Sequence, residues 1–143
     1  MEFAVKNKSL FDTGFLYAYF DDTDGFHEKC DEIFLHESLN AYLPDIVLPE
    51  LSYLILKRLN VATLVDFLRS VADGDFEVIR TTESDLERAA EILEKYNDNN
   101  LDLVDAVIVA MSERLEIIKI LTIDRRHFGV FKPNHCKAFE LLP

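Results

Sequence analysis

The stretch Leu101–Arg114 reads LDLVDAVIVAMSER and is apolar on nearly every face when it is wound as a helix. Because such a helix must be covered on all sides, we expect the chain to fold with this segment largely buried. Asp105 lies near the start of the helix, and a buried carboxylate is costly unless something compensates its charge. The free N–H groups and dipole of the helix N-terminus supply part of that compensation, and a bound cation can supply the rest.

Asp105 also has a purely structural interpretation. Asp102 stands three residues earlier, so the two side chains match a capping box in which Asp102 is the N-cap. These residues alone favour the capping interpretation, and the case for a cation depends on the other acidic residues of the chain.

The composition predicts one globular domain spanning residues 1–143. No apolar run is long enough for a membrane span, and the N-terminus lacks a signal-peptide pattern, so we expect a cytoplasmic protein without membrane attachment. Cys30 and Cys136 form neither a metal-binding spacing nor a disulfide framework. The net charge of −12 argues against a broad nucleic-acid surface but does not exclude a nuclease, because a carboxylate site stays acidic until a metal binds.

Strand-like and helix-like segments alternate along most of the chain. We expect strands at residues 8–12, 41–43, 76–79, 117–122 and 138–142, and helices at residues 14–20, 25–37, 44–59, 61–72, 82–96 and 102–114. This alternation favours a three-layer α/β/α sandwich with a mainly parallel central sheet and helices on both faces.

The predicted helix at residues 82–96 is amphipathic and carries many acidic residues. Its inward face is expected to consist of Leu86, Ala89, Ala90 and Leu93. Its acidic residues are expected to form a solvated face rather than a site: Glu83, Asp85, Glu87, Glu91 and Glu94.

Three aspartates occupy positions whose side chains meet in a parallel sheet. Asp12 ends the first predicted strand, Asp124 follows the fourth, and Asp105 starts a helix, and these positions converge on one crevice. Glu50 lies near another helix start and can join them, although a solvated first-turn glutamate is the more common situation. Asp12 can equally be the cap of the following helix. If all four meet, their mutual repulsion calls for a hard divalent cation such as Mg²⁺ or Mn²⁺.

Four segments that contain these acidic residues resemble, in their order, the motifs of the PIN domain nucleases. They read LFDTGFLYAYF, VLPELSYLI, LVDAVIVAMSERL and ILTIDRRHF, and they extend over nearly the full chain. The segment Asp21–His27 is also similar to the D…H stretch that often follows the first motif. Within the family, the chain looks like the compact bacterial and archaeal VapC-like members.

The resemblance implies a Mg²⁺- or Mn²⁺-dependent endoribonuclease that cleaves single-stranded or structured RNA. It implies that Asp12 and Asp105 are the principal metal ligands and that Asp124 completes the metal site, directly or through water. It further implies that Glu50 binds metal or orients the attacking water. VapC-like proteins are commonly homodimers held by an antitoxin, so the resemblance also implies a second copy and an antitoxin as partners.

Several neighbours of the acidic residues are expected to assist. Thr13 is predicted to hydrogen-bond a neighbouring carboxylate on the substrate side of the site, and Arg125 and Arg126 are predicted to meet substrate phosphates. His127 has two interpretations, a general acid or, more commonly for a loop histidine, a structural residue. Asp102 is predicted to cap its helix rather than to bind metal.

Three classes of function compete at this stage. The first is a metal-dependent ribonuclease, either a toxin or an RNA-processing enzyme outside a toxin–antitoxin pair. The second is a PIN-type scaffold that binds without turnover, against which the complete set of four acidic residues counts. The third is a phospho-receiver domain, which ranks last because Asp12 has no acidic neighbour at the end of the first strand.

Overall fold

The computed structural model describes residues 7–143 as one sheet surrounded by helices. The strands are β1 (Ser9–Phe11), β2 (Ala41–Pro44), β3 (Glu77–Ile79), β4 (Lys119–Leu121) and β5 (Glu140–Leu142). The helices are α1 (Thr13–Phe20), α2 (His27–Glu37), α3 (Val47–Arg58), α4 (Val61–Ala72), α5 (Glu83–Lys95), α6 (Leu103–Leu115) and α7 (Arg125–Val130). A single 3₁₀ turn, Ser38–Asn40, separates α2 from β2.

The sheet confirms the predicted three-layer α/β/α architecture. Its strand order is β3-β2-β1-β4-β5, and every pair of neighbouring strands is parallel. Helix α1 packs against α2 and α3, α3 packs against α4, and α5 packs closely against α6. Because β1 lies at the centre of the sheet, all three of its residues are buried.

The predicted elements are present, and several of their boundaries shift. Helix α3 begins at Val47 rather than near Pro44, because Pro44 still belongs to β2. Asp45 then bridges to the neighbouring segment: its N–H donates to the Ile79 carbonyl, and its carboxylate accepts from the backbone N–H and hydroxyl of Thr81. Strand β2 is one residue longer than predicted, whereas the other four strands are shorter, as their outer residues connect directly to turns and caps.

Helix α6 is as buried as its sequence predicts. Every residue from Val104 to Ser112 is buried, and the helix joins residues of β1 and β4 in the hydrophobic core. None of the helices in residues 7–143 has the length and apolar character needed to span a membrane.

The prediction for α5 is wrong in its details. Asp85 is only 2% exposed, whereas Leu86 is 50% exposed and Ala90 is also exposed. The inward face runs through Asp85, Ala89 and Ile92. This face differs from the expected one in that it includes Asp85, whose burial is compensated by an ion pair with Arg114 on α6.

Candidate active site

The predicted acidic residues lie at the point where the strand order reverses. From the central β1 the chain passes to β2 on one side, and it later returns to β4 on the other side, so a crevice opens at the carboxyl ends of β1 and β4. Asp12 directly follows β1, and its N–H donates to the Leu121 carbonyl at the end of β4 over 2.9 Å. Gly14 allows the start of α1 to lie close to the segment that follows β4, since a Cβ at Gly14 would lie 2.9 Å from the Ile123 side chain.

Asp12 is buried at the start of α1, with 6% of its surface exposed. One carboxylate oxygen accepts from the Thr13 N–H at 2.9 Å, and the other accepts from the Thr122 hydroxyl at 2.7 Å. Burial nevertheless raises the pKa of Asp12 to about 6, and the charges of Glu50 and Asp124 add to the increase. Asp12 is therefore both the helix cap and a member of an acidic cluster.

Asp124 is connected to Asp12 through Thr122. The Thr122 hydroxyl, which donates to Asp12, accepts from the Asp124 N–H at 2.9 Å. The Asp124 carboxylate caps α7 by accepting from the His127 N–H at 2.9 Å, and its second oxygen lies 2.6 Å from His127 Nδ1. Thr122 thus holds the backbone of Asp124 in place, and His127 holds its carboxylate.

Asp105 lies in the first turn of α6 and forms the predicted capping box with Asp102. The Asp105 N–H donates to the Asp102 carboxylate at 2.9 Å, and the Asp102 N–H donates back at 3.4 Å. The Asp105 residue is still 7% exposed, and burial together with the charges of Asp102 and Asp12 raises the pKa of its carboxyl group well above the usual range. Its Oδ2 lies 3.9 Å from His127 Nδ1. The capping hydrogen bonds therefore leave most of the electrostatic cost of burying the charged Asp105 carboxylate uncompensated.

Glu50 lies in the first turn of α3 and is partly exposed. Its charge contributes to the raised pKa of Asp12. Each of the four acidic residues caps a helix or lies in a first turn, where helix N–H groups favour negative charge. The fold thus places all four predicted residues at helix starts, with Glu50 and Asp124 near enough for their charges to act on Asp12, and Asp12 near enough to act on Asp105.

The three residues predicted on the substrate side occupy different environments. Thr13 is 2% exposed, and its N–H rather than its hydroxyl bonds the Asp12 carboxylate. The Thr13 hydroxyl has no hydrogen-bond partner within residues 7–143, which corrects the expected contact with a carboxylate. Arg125 is exposed and donates to the carbonyls of Leu141 and Pro143, tying the C-terminal segment to α7. Arg126 is exposed and lines a small cleft beside His127.

The donor chemistry of the cluster fits Mg²⁺ or Mn²⁺. All four carboxylates supply the hard oxygen atoms that these ions prefer, and a cation would relieve the repulsion that raises the pKa values of Asp12 and Asp105. Within residues 7–143, however, no three His, Cys, Asp or Glu side chains already stand together in a ready-made metal site. Asp124 turns toward His127 and Asp105 toward Asp102, so a metal would have to draw these side chains inward.

Two residues outside the predicted set prove central to this arrangement. Thr122 is completely buried and joins Asp12 to Asp124, and His127 joins Asp124 to the vicinity of Asp105. Thr122 lies in the segment ILTIDRRHF, two residues before Asp124, and thus within one of the four segments that resemble the PIN motifs. For His127 the sequence leaves two interpretations, a general acid or a structural residue, and its spacing from Asp124 indicates nothing more than a helix turn.

Comparison with known proteins agrees with this architecture. The PIN domain family matches residues 9–131, a range that includes all four acidic residues. Ribonuclease VapC26 of Mycobacterium tuberculosis is 32% identical over 134 residues, which covers 94% of this chain and 99% of the relative.

Two solved structures share the fold. Mycobacterium tuberculosis VapC20, a sarcin-ricin loop cleaving toxin, superposes with a TM-score of 0.73 at 20% identity, over 79% of this chain and 87% of that one. DNA-bound VapBC from Salmonella typhimurium superposes with a TM-score of 0.71 at 17% identity, over 94% of this chain and 97% of that one. The match over most of the chain and the identity to the ribonuclease together show that the chain belongs to the PIN domain family.

Proposed function

We propose that the protein is a divalent-metal-dependent endoribonuclease of the VapC type, which hydrolyses RNA phosphodiester bonds at Asp12, Glu50, Asp105 and Asp124. The observation that carries the proposal is the burial of Asp12 and Asp105 in one acidic cluster. In residues 7–143 neither carboxylate forms an ion pair with a lysine or arginine. A relative that is 32% identical over nearly the whole chain and is named a ribonuclease supports the reaction class.

The residues would divide the work according to their positions. Asp12, Asp105 and Asp124 would hold Mg²⁺ or Mn²⁺, which activates water and stabilises negative charge on a phosphate. Thr122 would keep the Asp12 carboxylate oriented through its 2.7 Å hydrogen bond. Glu50, being partly exposed, would accept a hydrogen bond from the attacking water or join the metal ligands.

We further propose that the protein acts as a toxin restrained by an antitoxin and forms a homodimer. Structures with the same fold include VapBC2 from Rickettsia felis bound to a promoter DNA fragment and a toxin–antitoxin complex from Klebsiella pneumoniae. The net charge of −12 would favour a basic antitoxin segment, since complementary charge steers and selects partners.

The proposal is tested by incubating a mixed RNA pool with the protein and Mg²⁺ or Mn²⁺. We expect Asp12→Asn and Asp105→Asn each to lower the cleavage rate by about 10³-fold, because a catalytic metal contributes several kcal/mol to stabilising the transition state. EDTA should abolish cleavage by the unmodified protein.

Glu87→Gln is the matched control, because it removes an exposed carboxylate of α5 outside the cluster and should cleave at the original rate. Circular dichroism would verify that each variant is folded. Cleavage that persists in both aspartate variants would refute the site. A folded protein that binds RNA and metal but never cleaves would instead favour the binding-only scaffold.

A further inference from the structure

A small polar cleft lies beside the carboxylate cluster, between the turn at residues 97–100 and α7. Its volume is about 90 Å³, and its lining residues are Asp98, Asn99, Asn100, Arg126, His127 and Val130. Pockets that enclose drug-sized molecules have volumes of about 300–1,000 Å³. The cleft therefore has room for the edge of one planar ring, and not for a larger ligand.

His127 connects this cleft to the acidic cluster. The same imidazole that lines the cleft lies 2.6 Å from Asp124 Oδ2 and 3.9 Å from Asp105 Oδ2. On the other wall, Asn100 adopts a left-handed backbone with φ of 54° and stands two residues before Asp102, the cap of α6. A group bound in the cleft would thus be next to the proposed cleavage site.

The cleft offers the hydrogen-bonding groups that proteins use to recognise nucleobases. An Asn amide both donates and accepts and can form a paired contact with adenine, an Asp carboxylate accepts from the amino group of cytosine, and Arg donates to guanine or phosphate. The side chains of Asn99, Asn100 and Arg126 form no hydrogen bond to other described residues, so their groups are available to a ligand. The carboxylate of Asp98 favours a base with an exocyclic amino group over a bare phosphate.

Basic residues also occur next to this cleft, although the overall charge is −12. The Lys95 ammonium lies 5.5 Å from the centre of the Tyr96 ring, just before the turn. The backbone N–H of Lys132 donates to the Tyr96 hydroxyl at 3.0 Å, so the Lys132 backbone lies against the same ring. Arg126 in the cleft and Lys95 before the turn would attract the phosphates that flank a bound base.

We propose that this cleft binds the base edge of a single unpaired nucleotide of the RNA substrate, next to the cleaved bond, and selects a base that carries an exocyclic amino group. The inference rests on the proposed ribonuclease function and adds a determinant of sequence preference to it. Unpaired bases are the usual targets of sequence-specific RNA recognition, because their edges are free to be read.

The test measures binding separately from cleavage. Asp105→Asn protein is incubated with a pool of random ten-nucleotide single-stranded RNAs in Mg²⁺, and the bound RNAs are sequenced. We expect one position to favour A, C or G over U. Adding Asn100→Gly should reduce that preference about tenfold, because it removes the amide while glycine keeps the left-handed backbone.

Two further variants separate base recognition from charge. Arg126→Ala should weaken the binding of all sequences, as the loss of a phosphate contact does. Arg69→Ala is the matched control, because it removes an exposed arginine from α4 and should change neither affinity nor preference. Circular dichroism of each protein confirms that the comparison is made between folded molecules.

Cleavage of the same pool by the unmodified protein distinguishes the two proposals. If RNA is cleaved but the bound RNAs show no base preference, or the preference survives Asn100→Gly, the nucleotide cleft is refuted and the ribonuclease stands. If selective binding is lost in Asn100→Gly but no RNA is cleaved, the cleft is supported and the ribonuclease function fails. Absence of RNA binding by folded Asp105→Asn protein would also overturn the cleft.

Discussion

Asp85 and Asp105 hold the same position in two neighbouring helices but have opposite electrostatic surroundings. Each is the third residue of its helix and completes a capping box, with Thr82 in α5 and with Asp102 in α6. The side chains of Asp85 and Asp105 are 2% and 10% exposed. Arg114 donates to both oxygens of Asp85 at 2.9 Å, whereas the charges that act on Asp105 are those of Asp102 and Asp12.

The pKa values record this difference. The hydrogen bonds to Arg114 and Thr82 hold the pKa of Asp85 below its usual range, although burial acts in the opposite direction. Burial and neighbouring carboxylates raise the pKa of Asp105. A buried carboxylate whose partner belongs to the chain is thus part of the structure, whereas one that faces other carboxylates needs a partner from outside.

The largest expected effect is that the same substitution, aspartate to asparagine, changes the free energy of unfolding in opposite directions at Asp85 and at Asp105. Without metal at pH 8, Asp85→Asn should destabilise the fold by about 3 kcal/mol, because it leaves the Arg114 charge without its partner. Asp105→Asn should stabilise the fold by about 1–2 kcal/mol, since each unit by which a pKa is raised corresponds to about 1.4 kcal/mol. Urea denaturation in EDTA measures both. An equal loss of stability in the two variants would contradict the distinction.

The pH dependence of stability sharpens the comparison at Asp12. Its pKa is about 6 in the folded protein against 3.8 ordinarily, so between those values the folded state binds more protons than the unfolded state. This contribution to stability is present at low pH and is lost as the pH rises through 6. Relative to Asp12→Asn, the metal-free unmodified protein should gain about 2–3 kcal/mol as the pH falls from about 7 to about 4.

Urea denaturation of both proteins across this range, in EDTA, gives the difference directly. Subtracting the Asp12→Asn data removes the contributions of Asp85 and Glu113, whose pKa values are lowered by arginine partners and whose stabilisation is lost in acid. If the difference in the free energy of unfolding between the two proteins stays constant with pH, the pKa of Asp12 is not raised in the folded state.

The smallest expected effect compares two buried threonines of the site. Thr122→Val should cost about 1–2 kcal/mol of stability, because it removes the hydroxyl that donates to Asp12 and accepts from the Asp124 N–H. Thr13→Val should be nearly neutral or stabilising, because the buried Thr13 hydroxyl has no partner among the described residues. Thermal unfolding distinguishes them, and equal losses would contradict the role given to Thr122.

The sequence was sufficient to predict the sheet and the four acidic positions. Alternating segments define the parallel topology, and the topology alone brings the carboxyl ends of β1 and β4 together with Asp12 and Asp124. The apolar pattern of α6 likewise required Asp105 to be buried. These features depend on local periodicity and on the order of the elements, both of which can be read along the chain.

Side-chain pairing across helices does not follow from these features. The amphipathic pattern of α5 predicts Asp85 on a solvated face, yet its partner Arg114 lies on α6, 29 residues further along the chain. The contact between His127 and Asp124 depends on the rotamers of two side chains in a short helix. Periodicity specifies which face of a helix is apolar, but it does not specify which charged residue on another helix will contact a given side chain.

The most direct test of the cation site is calorimetric titration of the unmodified protein with Mn²⁺ at pH 7, in buffers that differ in ionisation enthalpy. The raised pKa values of Asp12 and Asp105 predict binding with a net release of protons, since a metal binds the deprotonated carboxylates. Asp105→Asn should bind at least about tenfold more weakly and release fewer protons. Absence of binding, or identical affinity and proton release in Asp105→Asn, would contradict the assignment of these carboxylates to a metal site.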